Sequence, residues 1–253
     1  MIYFVGAGPG AADLITVRGK ALLERCDQLI YAGSLVNPAL LGFAKQGCEV
    51  LNSASMTLEE VTSRFVYGEE RGWLTVRLHT GDPSLYGAIR EQIDFLAPRS
   101  LPFEVVPGVS SFCGAAAALN AEYTLPGVSQ TLIISRAGGR TDVPPGQNLA
   151  ALAAHGASMA VFLSAALTDE VRRELLDAGL PPETPAALVY KATWPDQKIV
   201  RGTVGGLTDM RKELGEDKTA LILVGGFLAG GPDSYQRSKL YDPSFSHGFR
   251  NNG

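Results

Sequence analysis

The sequence is poor in the residues that cross-link chains or hold metals. Its 253 residues include 3 Cys and 3 His. Cys26, Cys48 and Cys113 are odd in number, far apart and never spaced as C-x-x-C. Neither a disulfide scaffold nor a cysteine zinc site is expected. His79, His155 and His247 are too scattered for a His-rich site, so no metal is expected. Charge is scarce too. Charged residues make up 19%, and 22 Lys plus Arg against 26 Asp plus Glu leave a net charge of −4. No broad basic field exists to hold nucleic acid. Long apolar runs are missing: the stretch from Leu149 to Leu167 is broken by His155, Gly156, Ser158 and Ser164. It reads as helix, turn and buried strand, with no membrane span. Met1 to Gly10 lacks a basic segment followed by an apolar one, so no leader is read there. With the sparse thiols, this predicts a cytoplasmic protein.

What is present is a globular composition. Apolar residues reach 45%, which excludes a disordered chain, and 29 Gly without a period exclude collagen. Short apolar runs alternate with helical patterns. Ile2 to Val5, Gln28 to Tyr31, Leu74 to Leu78 and Phe103 to Val106 read as strands. Leu14 to Arg25, a stripe of Leu58, Val61, Phe65 and Val66, and a stripe of Ile89, Ile93 and Leu96 read as helices. Such alternation predicts α/β architecture with mostly parallel sheets. The pattern restarts near Tyr123. Thr131 to Ser135, Met159 to Leu163, Ala186 to Lys191 and Ala220 to Val224 are further strands, and Leu167, Val171, Leu175 and Leu176 mark a helix. Ala115 to Glu122 reads as a small-residue helix. The expected division is residues 1–118, residues 119–235, and a polar tail over residues 236–253.

Three Gly/Pro loops follow strands in the first half: Gly6-Ala-Gly-Pro-Gly10, Thr80-Gly-Asp-Pro-Ser84 and Val106-Pro-Gly-Val-Ser-Ser111. In an open parallel sheet ligands bind outside the carboxyl ends of the strands. Glycine there lets backbone groups approach a ligand closely. The spacing Gly6-x-Gly8-x-x-Ala11 also fits a dinucleotide fingerprint, but Pro9-Gly10 interrupts the helix start and Tyr31-Ala32-Gly33-Ser34 offers no acidic residue. An oxidoreductase is therefore the weaker reading. Ser110 and Ser111 lack a neighbouring His and a nucleophile elbow. Asp82, between Gly and Pro, fits a turn residue better than a base. Cys113 beside an Ala-rich helix reads as a buried structural thiol. Arg136 and Arg140 flank Gly138-Gly139 and could hold a carboxylate-rich substrate, although solvated loop charges are the commoner case. Tyr190 and Trp194 near a strand end suit either stacking on a flat ligand or core packing.

Taken together, Val5-Gly-Ala-Gly-Pro-Gly10, Leu14-Ile15-Thr16 with Gly19, Thr80-Gly-Asp-Pro83 and Pro107-Gly-Val-Ser-Ser111 resemble the tetrapyrrole methylase family over nearly the whole chain. The resemblance implies two α/β domains, S-adenosylmethionine (SAM) in the cleft between them, and a homodimer. The uroporphyrinogen branch has Asp after the Tyr of the second strand and a Lys in the next loop. This chain has Ala32, and Leu51-Asn52-Ser53-Ala54. Tyr31 to Val36 with Asn37-Pro38, and the tail from Ser238 to Arg250, instead resemble the precorrin-4 C11-methyltransferase branch of cobalamin synthesis. The implied substrate is precorrin-4. Cobalt-precorrin-4, another precorrin, or the rRNA and protein-histidine substrates of more distant members are the alternatives.

By this resemblance the SAM contacts are Pro9, Thr80, Gly81, Asp82, Leu85, Ser110, Ser111, Leu163 and Ala192, with Tyr190 close by. The family often has Met where Leu163 stands. A reduced macrocycle is itself a carbon nucleophile, so the expected mechanism is alignment and desolvation, with Asp82 as the one candidate proton acceptor. The substrate carries many carboxylates. Arg18, Arg136 and Lys191, near motif loops or strand ends, are the expected cations, and Tyr31 and Ser34 are further candidate substrate contacts.

Overall fold

The computed structural model describes residues 1–139, 141–242, 244–246 and 248. The chain divides into two compact units: Met1–Ala117 with Lys191–Gln197, and Ala118–Tyr190 with Lys198–Gly253. The hairpin segment Lys191–Gln197 thus leaves the second half of the sequence and joins the first unit. The sequence pattern gave no sign of this exchange. The described tail residues fall in the second unit.

The first unit is built on five parallel strands in the order β3-β2-β4-β1-β5. They are β1 (Ile2–Gly6), β2 (Gln28–Tyr31), β3 (Glu49–Asn52), β4 (Thr75–His79) and β5 (Phe103–Val106). Residue Ile2 pairs with both Thr75 and Phe103, so β1 lies between β4 and β5. Parallel strands buried on both faces need continuous apolar runs, and IYFVG supplies one. Helix α1 (Val17–Leu23) brings Leu22 and Leu23 against Val5, Leu29, Val76, Leu78 and Val106 on one face. Helices α2 (Leu58–Glu70) and α3 (Ile89–Leu96) bring Val61, Phe65 and Leu96 against Ile2, Phe4 and Ile30 on the other. The chain leaves β1 towards β2 and leaves β4 towards β5, in opposite directions across the sheet. Neighbouring strands whose connections diverge in this way open a crevice at their carboxyl ends.

Local chemistry sets the helix starts. Expected from Leu14, the first helix begins at Val17. Ala12–Leu14 is a separate 3-10 turn, and the extended Thr16 caps α1 by accepting from Gly19 N–H at 3.0 Å. Thr57 and Glu60 form a capping box that starts α2. Helix α4 (Ser111–Leu119) starts and ends earlier than the Ala115 to Glu122 reading, with Asn120 in the left-handed region at φ 51° just beyond it.

The second unit carries a sheet in the order β6-β7-β10-β8-β9. Its strands are β6 (Leu132–Arg136), β7 (Ser158–Phe162), β8 (Pro185–Tyr190), β9 (Lys198–Thr203) and β10 (Ala220–Val224). Only β6 and β7 run parallel; β7 with β10, β10 with β8 and β8 with β9 are antiparallel. This departs from the mostly parallel expectation. β8 and β9 are joined by the short stretch of residues 191–197, which contains no helix, and only an antiparallel pair tolerates such a connection. Helices α5 (Leu149–Ala153), α6 (Thr168–Asp177) and α7 (Leu207–Leu214) cover this sheet, with Leu149, Val171, Leu175, Leu207 and Leu214 buried on Met159, Leu188 and Ile222. Both units are α/β.

Strand β4 is buried along its whole length although it carries Arg77 and His79. Residues two apart share a face of the sheet. The Arg77 guanidinium donates to Gln92 Oε1 at 3.3 Å and to Ile30 O at 3.4 Å. Burial lowers the Arg77 pKa to about 10. Burial, helped by the Arg77 charge, lowers that of His79 to about 3. Among the described residues His79 Nε2 has no hydrogen-bond partner. His79 is therefore a neutral core residue under ordinary conditions. The unfolded chain takes up this proton near pH 6.5 and the folded chain only near pH 3, so stability falls as the pH drops between those values. His79→Leu is expected to flatten that acid limb in urea unfolding curves recorded from neutral pH downwards. An unchanged slope would assign the limb to other groups.

Candidate functional site

The three Gly/Pro loops lock onto one another through their backbones. Ala7 N–H donates to His79 O at 2.7 Å. Gly8 N–H donates to Gly81 O at 3.2 Å, and Gly81 N–H donates back to Gly8 O at 3.0 Å. Gly8 and Gly81 sit at φ 81° and 61°, where a side chain is strained. A Cβ on Gly108 would meet Gly81 O at 2.2 Å and Gly6 Cα at 2.7 Å. Side chains are excluded from this junction by contact distance. The carboxyl ends of β1, β4 and β5 therefore form one backbone-lined edge.

Asp82 ties that edge together. Its Oδ2 accepts from Gly108 N–H at 2.8 Å, and its Oδ1 accepts from Ser84 N–H at 2.8 Å and from Ser84 Oγ. Partial burial pushes its pKa up. The donors Ser84 Oγ, Gly108 N–H and Ser84 N–H outweigh it, and the carboxyl lies below its ordinary value. Thr80 Oγ1 donates to Leu35 O at 3.0 Å, which fastens this loop to the turn after β2. Leu85 N–H donates to Asp82 O at 3.2 Å, and the non-glycine residues Tyr86 and Ala88 follow at φ 56° and 48°. Left-handed conformations outside glycine persist only where the surroundings enforce them.

The third loop ends in a helix start. Ser110 is buried, and its carbonyl accepts from Cys113 N–H at 3.1 Å and Gly114 N–H at 3.3 Å as α4 begins at Ser111. A Cβ on Gly114 would meet Pro9 Cβ at 2.6 Å, so Pro9 packs directly on the α4 backbone. A Cβ on Gly10 would meet Trp194 Cδ1 at 2.0 Å and Ala192 O at 2.6 Å. Ala11 N–H donates to Thr193 Oγ1 at 2.9 Å, and Asn37 Nδ2 donates to Gly10 O at 2.9 Å. The segment Lys191–Gln197 is thus the fourth wall. Lys191 and Thr193 hold left-handed backbone at φ 44° and 70°. Sequence reasoning offered Trp194 as a stacking or packing residue and overlooked Thr193 and Asn37. Nothing in their spacing links residue 10 to residue 194.

The expected cations are each engaged. Arg18 pairs with Glu104 at 2.5 Å, with both side chains well exposed. Lys191 pairs with Asp196 at 2.6 Å and lies 5.1 Å from the Trp194 ring centre. Arg136, at the end of β6, donates to the carbonyls of Ala137, Thr141 and Asp142, and among the described residues it forms no ion pair with a carboxylate. Arg140, also noted in the sequence, lies outside the described residues. Tyr31 ends β2, and its carbonyl accepts from Ser53 Oγ at 3.0 Å; Ser34 is exposed in the turn Gly33–Leu35. In the second unit, Leu163 just past β7 is 68% exposed at φ 54°. Tyr190 is buried at the end of β8, with Lys198 Nζ 5.5 Å from its ring centre.

This arrangement suits a polar ligand read by backbone edges. The dinucleotide alternative loses its basis, because a 3-10 turn follows the glycines and α1 starts only at Val17. Among the described residues no group of three or more His, Cys, Asp and Glu could hold a metal, and no helix is long and apolar enough to cross a membrane.

Comparison with known proteins identifies the family. The Tetrapyrrole (Corrin/Porphyrin) Methylases profile matches residues 1–208. The chain belongs to that family, and it is a methyltransferase. It is 50% identical over 249 residues to a cobalt-precorrin-4 C(11)-methyltransferase of Methanocaldococcus jannaschii, covering 98% of this chain and 95% of the relative. It is 40% identical over 253 residues to a precorrin-4 C(11)-methyltransferase of Sinorhizobium sp, covering 100% and 99%. Among solved structures, a cobalt precorrin-4 methyltransferase described as a cobalamin biosynthetic enzyme aligns with a TM-score of 0.88 at 48% identity, over 90% of this chain and 95% of its own. A uroporphyrin-III C-methyltransferase from Thermus thermophilus, complexed with S-adenosylhomocysteine, aligns with a TM-score of 0.74 at 26% identity, over 90% and 92%.

Proposed function

We propose that this chain is a SAM-dependent C-methyltransferase of cobalamin biosynthesis that methylates C11 of cobalt-precorrin-4. The carrying observation is its full-length likeness at 49–50% identity to relatives named for that reaction, against 40–44% for relatives named for the metal-free substrate. This ordering favours the cobalt form over the precorrin-4 expected from the sequence. A homodimer is part of the same reading.

The residues present fit SAM. Gly6, Gly81 and Gly108 pack backbone on backbone, and this junction holds the three loops in one register beside which a nucleoside and an amino acid can be seated. Pro9, Thr80, Gly81, Asp82, Leu85, Ser110, Ser111 and Ala192 would hold SAM, and the family resemblance adds Leu163 and Tyr190. Bound SAM supplies a methyl group already activated on a positive sulfur. The protein then has to orient the acceptor carbon and exclude water, an effect that can supply roughly 7–11 kcal/mol. Asp82 acts as a positioning residue: its carboxylate is spent on Gly108 and Ser84. Arg136 is the best placed of the three cations to meet a substrate carboxylate, because backbone carbonyls hold it without neutralising it. Arg18 and Lys191 would first have to leave Glu104 and Asp196.

The test is a product assay with isotopically labelled SAM and precorrin-4 in metal-free and cobalt forms. One labelled methyl on the cobalt form, placed at C11 by NMR, is the expected result. Transfer only to the metal-free form would reverse the substrate choice. No transfer to either, with S-adenosylhomocysteine still binding, would keep the family and overturn the substrate.

A further inference from the structure

Two of the three cysteines, read from the sequence as isolated, meet in the fold. Cys26 follows α1 and Cys48 immediately precedes β3, and their Sγ atoms lie 3.5 Å apart. The sheet register causes this meeting: β2 and β3 pair in parallel with Gln28 opposite Glu49, so the residues leading into both strands are neighbours. Cys26 is fully buried, and its thiol also lies 3.2 Å from Leu23 O. Cys48 is half-buried, with Lys45, Asp27 and Glu49 nearby. Lys45 Nζ pairs with Asp27 Oδ1 at 2.5 Å. Cys113, expected from the sequence to be buried, is instead exposed on α4 and is not part of the pair.

We propose that Cys26 and Cys48 form a redox-active dithiol that closes to a disulfide when a low-molecular-weight disulfide is present. Cys48, the accessible member, is the attacking sulfur. Its thiolate displaces one thiolate from the small disulfide RSSR, giving a mixed disulfide. The Cys26 thiol then loses its proton and attacks Cys48 Sγ, releasing the second thiolate. The balance is two protein thiols plus RSSR giving one protein disulfide plus two RSH. The hydrogen bond with Cys26 favours the Cys48 thiolate; partial burial opposes it, and the Lys45 charge supports it. In Cys26 the same contact and deep burial push the thiol pKa up, so it resolves the mixed disulfide and does not initiate. A reducing compartment keeps the pair open, and an oxidising shift closes it. Closure would bracket β2 and the turn after it, the stretch that carries Tyr31 and Ser34.

The test exposes the native protein to excess oxidised glutathione, then measures intact mass and maps peptides without reduction. The expected product links Cys26 to Cys48, is lighter by two hydrogens at that pair, and carries glutathione on Cys113 alone. Its melting temperature should rise by about 5–10 °C, since the link closes a loop of roughly 23 residues. In Cys26→Ser, Cys48 should stop at the mixed disulfide; Cys26→Ala gives the same reading should the buried hydroxyl unfold the chain. In Cys48→Ser, Cys26 should remain a thiol. The proposal fails if wild-type Cys48 stays glutathionylated without exchanging, or if both thiols survive after Cys113 is fully modified. Neither outcome depends on which macrocycle is methylated.

Discussion

Gly108→Ala is expected to slow methyl transfer by about 100-fold while leaving a folded but weakened protein. The added methyl must displace Gly81 O or Gly6 Cα, both backbone atoms at 2.2 and 2.7 Å, and neither is the end of a flexible side chain. Overpacking of this kind costs about 1–3 kcal/mol, or more when backbone must move. The larger effect falls on function. The three strand ends share one hydrogen-bonded edge, so a shift of about 1 Å misplaces every group on it, and such a shift can cost about 100-fold in rate. Titration calorimetry with S-adenosylhomocysteine should show the affinity falling with the rate, and urea unfolding should show the modest stability loss. Full affinity with lost turnover would move Gly108 from cofactor binding to substrate alignment. Wild-type behaviour in both would remove this edge from the site.

Asp82→Asn is the second large effect, and it separates positioning from proton transfer. The amide oxygen can still accept from Ser84, but its NH2 then faces Gly108 N–H, donor against donor, in place of a carboxylate–amide bond of 2.8 Å. A hydrogen bond to a charged group contributes about 1.5–3 kcal/mol, so S-adenosylhomocysteine affinity should fall roughly 10- to 100-fold if the loop geometry depends on it. The pH profile decides the role. Asp82 has its pKa held below the ordinary carboxylate value of 3.8, so it stays charged above about pH 4. Its contribution to stability is present above the unfolded value and is lost only as the pH falls through the lower folded value. The wild-type rate should therefore show no acid limb from this group between about pH 5 and 8. An acid limb in that range that disappears in Asp82→Asn would restore Asp82 as a base.

Much of the first sheet was legible because its strands are short, largely apolar runs followed by loops rich in Gly and Pro. β1, β2, β4 and β5 announce themselves in this way. β3 does not: Glu49-Val-Leu-Asn is a short edge strand with alternating half-burial, and its pattern is too brief to separate from a loop. β9 and α7 were equally silent. Lys198–Thr203 is polar for most of its length, and Leu207–Leu214 carries only Leu207, Met210 and Leu214 inward. The Gly-rich edge was visible as three loops, and the parallel-sheet rule placed them together. That Asp82 spends its carboxylate on Gly108 depends on a register no spacing encodes. The Trp194 contact with Gly10 and the meeting of Cys26 with Cys48 were invisible for the same reason, since each depends on which strands become neighbours.

The placement of Lys191–Gln197 in the first unit bears on synthesis. Residues Met1–Ala117 can leave the ribosome with every strand of the first sheet, yet Thr193 and Trp194 follow some 75 residues later. Until then Ala11 N–H lacks its hydroxyl partner and the flank of Gly10 is uncovered. The nascent first unit can therefore build its sheet early but completes its loop edge only after β8 has emerged. A truncated chain ending before Lys191 would carry all three Gly/Pro loops and still lack their fourth wall.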